Sequence, residues 1–317
     1  MEHPVTIERI HAAADRIRPY AHRTPVTTCA ALDRQAGRAL FFKCEHLQKV
    51  GAFKFRGACN AVFELSDAVA ARGVVTHSSG NHAQALARAA ALRGIAAHIV
   101  MPSTAARVKR RAVAEYGGRI IDCAPTLAAR EDAAAAVLAD TGGTLIPPYD
   151  HPSIIAGQGT AGLELLDQVD GLDAIVAPVG GGGLVSGLCL AVQALAPRVK
   201  VFAAEPAGAD DAARSVQAGR LIAQSAPQTI ADGLRTSLGA LTWPVIRDRV
   251  AAVITVSEAE IVAAMRLVWE RAKLLIEPSA AVAVAAVLTD SFRMAQPGRR
   301  VAVVLSGGNV DLDDLPW

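Results

Sequence analysis

The sequence predicts an α/β protein with mostly parallel sheets that are covered by helices on both faces. From about residue 70 onward, short apolar runs alternate with longer alanine-rich stretches, as strands and helices do in such sheets. Polar or glycine-rich residues directly follow several runs, at the strand ends where open sheets of this class bind ligands. The predicted strands are Gly73–His77, Ala97–Met101, Arg119–Asp122, Ala174–Val179, Val199–Ala204, Ala251–Thr255 and Val301–Leu305.

The overall composition is that of an ordinary soluble protein. The 317 residues are 52% hydrophobic and 20% charged, and 32 Lys and Arg residues face 30 Asp and Glu residues. This balance gives no reason to expect nucleic acid or an anionic membrane as a partner. The N-terminus carries charges where a signal peptide needs an apolar run, and no apolar stretch is long enough to span a membrane. We therefore expect a cytoplasmic protein that binds a small-molecule substrate.

One lysine lies in an unusual setting. The chain has only six lysines, and Lys54 stands between Phe53 and Phe55 with small residues on either side. An apolar setting favours the neutral amine, which is a nucleophile able to form a Schiff base. The alternative is a surface lysine whose aliphatic stem covers the aromatic rings.

The polar loop Ser78–His82 follows the first predicted strand and precedes a predicted helix that runs to Arg93. Its hydroxyl, amide and backbone donors at a helix start suit a bound carboxylate. The alternative is that Ser79 or Asn81 caps the helix. His82 is equally well explained as a packed histidine and receives no acid or base role.

Four consecutive glycines follow the predicted strand Ala174–Val179 and precede the helix-like segment Val185–Ala194. Backbone N–H groups without neighbouring Cβ atoms can close around an anion at a helix N-terminus, so this loop predicts a phosphate site. The alternative is a tight turn without a ligand. The loop consists of Gly180, Gly181, Gly182, Gly183 and Leu184.

A second hypothesis for the same loop is a nicotinamide-dependent oxidoreductase. Gly181, Gly183 and Gly187 fit a loosened dinucleotide pattern, and Glu205 lies about 20 residues further on, where a ribose hydroxyl would bind. Such an enzyme has no use for the Lys54 segment. This observation favours an enzyme that uses Lys54 to form a Schiff base and the glycine loop to bind a phosphate.

Together these motifs resemble the fold-type II pyridoxal-phosphate enzymes, and within them the serine racemase and serine/threonine dehydratase family, which includes threo-3-hydroxyaspartate dehydratases. The resemblance implies a two-lobed fold like that of the tryptophan synthase β subunit, with residues 1–67 and 149–317 as the large cofactor-binding lobe. Residues 68–148 would form the small lobe, which closes on the substrate, and the protein would be a homodimer. The motifs that carry the resemblance are Lys43–Gln48, Gly51–Ala58, Thr76–His82, Ala156–Thr160, Gly180–Leu184, Glu277–Ala280 and Ser306–Asn309.

The resemblance implies a position for each part of pyridoxal phosphate. Lys54 would hold the cofactor as a Schiff base, Phe53 would pack against its ring, and Asn81 would bond its ring hydroxyl. The loop Gly180–Leu184 would hold the phosphate, and Ser306 would face the pyridine nitrogen. A serine cannot keep that nitrogen protonated as a carboxylate would, and the resulting weaker electron sink suits elimination.

The resemblance also implies a reaction, the removal of water and then ammonia from L-serine, L-threonine or 3-hydroxyaspartate to give a 2-oxo acid. The loop Ser78–His82 would bind the substrate carboxylate with help from Arg130, and Lys54 would remove the Cα proton. Ser79 would be the acid on the opposite face in the alternative activity, a serine or aspartate-type racemase. A non-catalytic amino-acid sensor is a further alternative.

Two departures from the mammalian racemases favour elimination as the main activity. Ala52 replaces a serine that often precedes the Phe-Lys pair, and Tyr149 with Asp150 stands where those racemases have Asn-Gln. Both features are similar to microbial dehydratases of the family.

The resemblance finally implies a divalent cation bound by Glu205, Asp211 and the backbone carbonyl of Ala209. Three oxygen ligands completed by water suit Mg²⁺, Mn²⁺ or Ca²⁺. The same resemblance reassigns Glu205 away from a ribose. Without the resemblance, the sequence would indicate that Glu205 and Asp211 are solvated residues at a helix start.

Overall fold

Within the described residues, ten strands form two separate sheets. A computed structural model describes residues 3–105, 107–296 and 298–317 of the chain. The strands are β1 (Val26–Thr27), β2 (Ala39–Lys43), β3 (Val74–His77), β4 (Ala97–Pro102), β5 (Arg119–Cys123), β6 (Thr144–Leu145), β7 (Ala174–Pro178), β8 (Lys200–Pro206), β9 (Val250–Val256) and β10 (Arg300–Val304).

Helices connect and cover these strands. They are α1 (Ile7–Ile17), α2 (Ala30–Ala36), α3 (Lys54–Glu64), α4 (Asp67–Ala70), α5 (Asn81–Arg93), α6 (Arg107–Glu115), α7 (Leu127–Thr141), α8 (Pro152–Gln168), α9 (Gly183–Leu195), α10 (Asp211–Ala218), α11 (Thr242–Arg249), α12 (Glu258–Leu267), α13 (Pro278–Leu288) and α14 (Asp290–Ala295). Within the described residues, no helix is both long and apolar enough to cross a membrane.

The larger sheet has the strand order β1-β2-β10-β7-β8-β9, and the smaller sheet has the order β5-β4-β3-β6. Every pairing is parallel except that of β1 with β2. The prediction of an α/β fold with mostly parallel sheets is therefore confirmed, and each of the seven predicted runs forms a strand. The smaller sheet lies wholly within residues 68–148, the segment that we refer to as the small lobe.

The central strands β10, β7 and β8 of the larger sheet are buried on both faces, which explains why they read as continuous apolar runs. Along β10, Val301 and Val303 pack into one hydrophobic cluster together with residues Ala280–Val287 of α13. Ala302 and Val304 point to the other face and pack with α8 and α9. Because both faces need apolar side chains, the two-residue alternation of a half-exposed strand is absent.

A buried ionic cluster fixes the first turns of α3 to the rest of the large lobe. The Arg56 guanidinium donates to Glu45 Oε2 at 2.7 Å and to Glu164 Oε1 at 2.8 Å. Lys43 Nζ donates to Glu164 Oε2 at 2.7 Å, and neither Arg56 nor Lys43 is exposed to solvent. Burial opposes ionisation of Glu45, but the charges of Arg56 and Lys43 and the hydrogen bonds from Arg56 and Thr24 together outweigh it and keep the pKa of this carboxyl below its usual value. The cluster therefore holds α3 in one position.

Candidate active site

Lys54 is the first residue of α3, and its amine contacts the end of the segment 68–148. Its Nζ donates a hydrogen bond of 2.8 Å to the carbonyl of Pro148, in the crossing between lobes. The same Nζ lies 5.1 Å from the centre of the Phe53 ring. Burial lowers the pKa of Lys54 from 10.5 to about 8, although the nearby Glu277 carboxyl opposes the shift. A larger fraction of this amine is neutral at a given pH than for a lysine in water.

The segment before Lys54 is pinned against the loop that follows β10. Ala52 forms an antiparallel bridge with Gly307, and the Phe53 N–H donates to the carbonyl of Ser306 at 3.0 Å. Val50 has a left-handed backbone conformation with φ at 59°, which is strained for a β-branched residue. The predicted cofactor residues Phe53, Lys54 and Ser306 are thus brought together by backbone contacts.

Asn81 occupies the first turn of α5 and meets two polar residues of the large lobe. Its Nδ2 donates to Glu277 at 2.9 Å to Oε1 and 3.2 Å to Oε2, and its Oδ1 accepts from Asn309 Nδ2 at 2.9 Å. Burial, assisted by the charge of Asp232, raises the pKa of Glu277 to about 8. Glu277 and Asn309 belong to motifs that the sequence singles out, but no role for either could be assigned from it.

The loop Ser78–His82 ends in a helix start that no side chain caps. The N-cap position is Gly80, so the alternative that Ser79 or Asn81 caps α5 is wrong. Ser78 Oγ accepts from the Gly80 N–H at 3.4 Å. The first-turn N–H groups of α5 therefore have no side-chain cap to satisfy them, which suits a bound carboxylate.

His82 is a packed residue, as one of the two readings of the sequence has it. Its Nε2 lies 2.9 Å from the carbonyl of Ile146, and the side chain is buried. Burial, assisted by the charge of Lys54, lowers the pKa of His82 to about 3. The neutral ring donates from Nε2, because a carbonyl can only accept, and its side chain brings no positive charge to a substrate carboxylate.

The glycine loop is closely packed against Tyr149 and Thr242. A Cβ at Gly181 would lie 2.2 Å from Cγ of Tyr149, and one at Gly182 would lie 2.8 Å from Cβ of Thr242. Gly182 also has φ at 86°, a conformation that favours glycine. Thr242 Oγ1 donates to the Gly181 carbonyl at 2.8 Å and so fixes the loop. Tyr149 directly follows Pro148, the partner of Lys54, which links the loop to the lysine.

Arg130 is not brought into this group of residues. Its Nε donates to the carbonyl of Thr126 in its own helix at 3.3 Å, and within the described residues it makes no hydrogen bond to the loop Ser78–His82. Burial, followed by the charge of Arg130, lowers the pKa of His77, the residue before this loop. A further contact of the segment 68–148 with the rest of the chain, the ion pair of Lys109 with Asp232, was not anticipated.

The residues predicted to bind a cation lie elsewhere, at the end of β8. Glu205 Oε1 and Oε2 accept from the N–H groups of Ala212 and Ala213 at 3.1 and 2.6 Å, and Asp211 Oδ2 accepts from Leu238 at 3.1 Å. Burial raises the pKa of Glu205 to about 8 and that of Asp211 to about 6.

Among the described residues, no cationic side chain forms an ion pair with these two carboxylates. In the described part of the chain, neither Glu205 nor Asp211 forms an ion pair, and no cluster of three or more His, Cys, Asp or Glu side chains is placed to hold a metal. Both Glu205 oxygens are engaged by backbone donors, which gives no support to the ribose contact of the nicotinamide hypothesis.

Comparisons with known proteins agree with this geometry. Residues 17–307 match the family described as "Pyridoxal-phosphate dependent enzyme". The chain is 53% identical over 312 residues to a beta-hydroxyaspartate dehydratase from Paracoccus denitrificans, with 98% of each chain covered. It is 54% identical over 309 residues to a serine racemase from Arabidopsis thaliana, covering 96% of this chain and 93% of the relative. The structure of maize serine racemase superposes with a TM-score of 0.96 at 49% identity, covering 98% of this chain and 95% of the other.

Proposed function

Because the chain belongs to the pyridoxal-phosphate dependent enzyme family, we propose that it dehydrates a small β-hydroxy amino acid to a 2-oxo acid and ammonia. The observation that carries the proposal is the Lys54 amine, held at the lobe junction with a lowered pKa beside the Asn81 and Ser306 loops. The dehydratase relative, similar over its whole length, supports elimination as the main activity.

The donor groups of the cleft fit pyridoxal phosphate. Lys54 offers an amine, Asn81 an amide, Ser306 a neutral hydroxyl, and the glycine loop a helix N-terminus without side chains. When bound there, the cofactor supplies an electron sink for charge that develops at the substrate Cα.

The protein's own groups would then bind the substrate and move its protons. The uncapped start of α5 and the Ser78 and Ser79 hydroxyls bind the substrate carboxylate, and Lys54 takes the Cα proton. Ser306 leaves the pyridine nitrogen without a charged partner, which favours loss of a β-substituent over reactions that need a stronger sink. Arg130 would join the carboxylate site only if the small lobe moves towards the large lobe.

A panel of substrates tests the proposed activity. Purified holoenzyme should release 2-oxo acid from at least one of L-serine, L-threonine and 3-hydroxyaspartate, measured by coupling the product to a reductase. The sequence similarity to the Paracoccus relative favours 3-hydroxyaspartate as the best of the three. Reconstituted protein that binds all three without forming oxo acid would instead support the sensor hypothesis.

The depressed pKa of Lys54 predicts the pH dependence of cofactor loading. Only the neutral amine can attack the aldehyde of pyridoxal phosphate, so the loading rate of the apoprotein should rise with pH through a midpoint near 8. Stopped-flow absorbance of the visible Schiff-base band measures this rate. A midpoint near 10.5, the ordinary value, would show that the amine lies in a water-like setting.

Racemisation is the second candidate function, and the serine racemase relatives favour it. Ser79 is the proposed acid on the face opposite Lys54. Ser79→Ala should therefore reduce racemisation of L-serine by roughly 100-fold or more, because a general acid is lost. Oxo-acid release from L-serine should change much less.

Chiral chromatography and the oxo-acid assay measure the two activities in one sample, with Ser78→Ala as the matched control. An equal loss of both activities in the Ser79 variant would mean that Ser79 binds the carboxylate only.

A divalent cation at Glu205, Asp211 and the Ala209 carbonyl is also part of the proposal. Two buried carboxylates with raised pKa values and no ion-pair partner in the described residues fit such an ion. Mg²⁺, Mn²⁺ or Ca²⁺ would hold this loop and would take no direct part in the reaction.

Chelation tests the cation site. A cation at 100 times its Kd stabilises the fold by about 2.7 kcal/mol, so EDTA should lower the melting temperature and added Mg²⁺ or Ca²⁺ should restore it. Glu205→Gln should lose this response. Identical melting curves with and without EDTA would remove the cation from the proposal. The homodimer, the cytoplasmic location and the two-lobe boundaries stay predictions from the sequence.

A further inference from the structure

We propose that Glu277 and Asn309 are positioning residues that fix the orientation of the Asn81 amide, so that its Nδ2, and not its Oδ1, faces the ring oxygen of the cofactor. The inference rests on the proposed function and adds to it two residues and the direction of one hydrogen bond. It is carried by a chain of four hydrogen bonds whose two ends are backbone groups.

The first end of the chain is the carbonyl of Val50, in the strained turn before Lys54. Asn309 Nδ2 donates to this carbonyl at 2.7 Å and to Asn81 Oδ1 at 2.9 Å. A carbonyl can only accept, so the Asn309 amide must present its nitrogen here and cannot be reversed. Both Nδ2 hydrogens of Asn309 are then used, and the Asn81 atom that meets the second one must be the oxygen.

The second end of the chain is the backbone N–H of Asn309, which donates to Glu277 Oε2 at 3.1 Å. Glu277 Oε1 accepts from Asn81 Nδ2 at 2.9 Å. A carboxyl oxygen keeps a lone pair for such donors in either protonation state. The carboxyl is also closely packed, because a Cβ at Gly307 would lie 2.5 Å from Oε1. Glu277 therefore stays in place as an acceptor.

Asn81 lies between these two fixed partners and has one compatible orientation. Reversing its amide would bring its nitrogen against Asn309 Nδ2 and its oxygen against Glu277 Oε1. Two hydrogen bonds would be replaced by two repulsive contacts in a partly buried site. In the observed orientation one Nδ2 hydrogen is shared between the two Glu277 oxygens, Oε1 at 2.9 Å and Oε2 at 3.2 Å, and the other is available to a cofactor oxygen in the cleft. A donor at that point favours the ring oxygen as an acceptor.

A glutamine at position 277 disrupts this arrangement. Its amide has one accepting oxygen, whereas both Asn81 Nδ2 and the Asn309 N–H need an acceptor. One of these two donors then faces the N–H₂ group of the glutamine instead of an acceptor. Because the Asn309 N–H cannot turn away, Asn81 is the group that reorients, and its oxygen then faces the cofactor.

The test is a double-mutant cycle read by cofactor affinity, with the apparent Kd for pyridoxal phosphate taken from absorbance titration of the full-length apoprotein. Glu277→Gln should weaken binding roughly tenfold, the effect of losing one charge-assisted hydrogen bond, and should shift the visible absorption band. Asn81→Ala should also weaken binding. In the Asn81→Ala background, Glu277→Gln should have no further effect, because Glu277 acts through Asn81.

Two further variants complete the experiment. Glu258→Gln is the matched control, since this carboxyl also accepts a backbone N–H, from Ile230 at 2.8 Å, but does not contact Asn81. It should bind pyridoxal phosphate as wild type does. Glu277→Asp keeps two accepting oxygens and should bind more tightly than Glu277→Gln; it also enters the cycle if the Gln variant does not fold.

The outcomes separate this inference from the proposed function. Additive losses in the double variant, an unshifted absorption band in Glu277→Gln, or tighter binding by Gln than by Asp would each overturn the positioning role. Wild-type protein that does not bind pyridoxal phosphate would instead overturn the proposed function. Non-additive losses with a shifted band support the inference.

Discussion

Lys54→Ala should abolish the visible absorption of the holoenzyme and reduce oxo-acid release by on the order of 10⁴-fold, the upper range for loss of a general base. The variant loses both the amine that is proposed to attach the cofactor and the group that is proposed to take the Cα proton. Racemisation should fall with elimination, because both reactions begin with removal of that proton.

Lys200→Ala is the matched control for this experiment. Lys200 is exposed and begins β8, at the end of the strand opposite the loops that form the cleft. This variant should keep the spectrum and rate of the wild type. If Lys54→Ala retained the visible band, or if its elimination rate stayed within tenfold of wild type, Lys54 would not be the attachment site.

Gly181→Ala should weaken the binding of pyridoxal phosphate roughly 100-fold. The new Cβ would lie 2.2 Å from Cγ of Tyr149 and within 2.4 Å of both neighbouring ring carbons, so either the ring or the loop must move. Overpacking of this kind destabilises by about 3 kcal/mol at the upper end of the usual range. Thr242 holds the Gly181 carbonyl, so displacement of the loop breaks this hydrogen bond and moves the backbone N–H groups of the loop. Fluorescence titration of the apoprotein measures the change.

Removing the obstructing ring provides the control for this steric explanation. Gly181→Ala combined with Tyr149→Ala should bind pyridoxal phosphate more tightly than Gly181→Ala alone, since the new methyl group then has space. Tyr149→Ala alone is measured as well, so that the effect of Gly181→Ala on the Kd can be compared with and without the tyrosine ring. If the double variant binds no better than Gly181→Ala, the loop fails for a reason other than contact with Tyr149.

The central strands β7, β8 and β10 of the larger sheet could be predicted because burial on both faces leaves a clear apolar run. β2 was missed, since its five residues end in Lys43 and sequence alone does not reveal that Glu164 neutralises this lysine in the interior. β1 and β6 have two residues each and owe their pairing to neighbours distant in sequence. Short pairings of this kind carry no local signal.

The candidate site divides in the same way. Lys54 and the glycine loop were visible because their unusual setting is local to a few residues. The partnership of Asn81 with Glu277 joins positions 196 residues apart, and the sequence gives no indication of which polar groups meet. The capping alternative for Ser79 and Asn81 was wrong because Gly80 takes the N-cap position, a choice that depends on backbone angles.

The buried cluster around Arg56 also limits how this chain can diverge. Loss of any one member of such a set leaves a buried charge without a partner and destabilises by roughly 3–5 kcal/mol, whereas joint replacement by apolar residues can be neutral. The free energy of unfolding of an ordinary domain is only about 5–15 kcal/mol, so a single substitution in the cluster would remove a large part of it and would be selected against. Descendants of this sequence should therefore keep Lys43, Glu45, Arg56 and Glu164 as one inherited unit, or exchange several of them together.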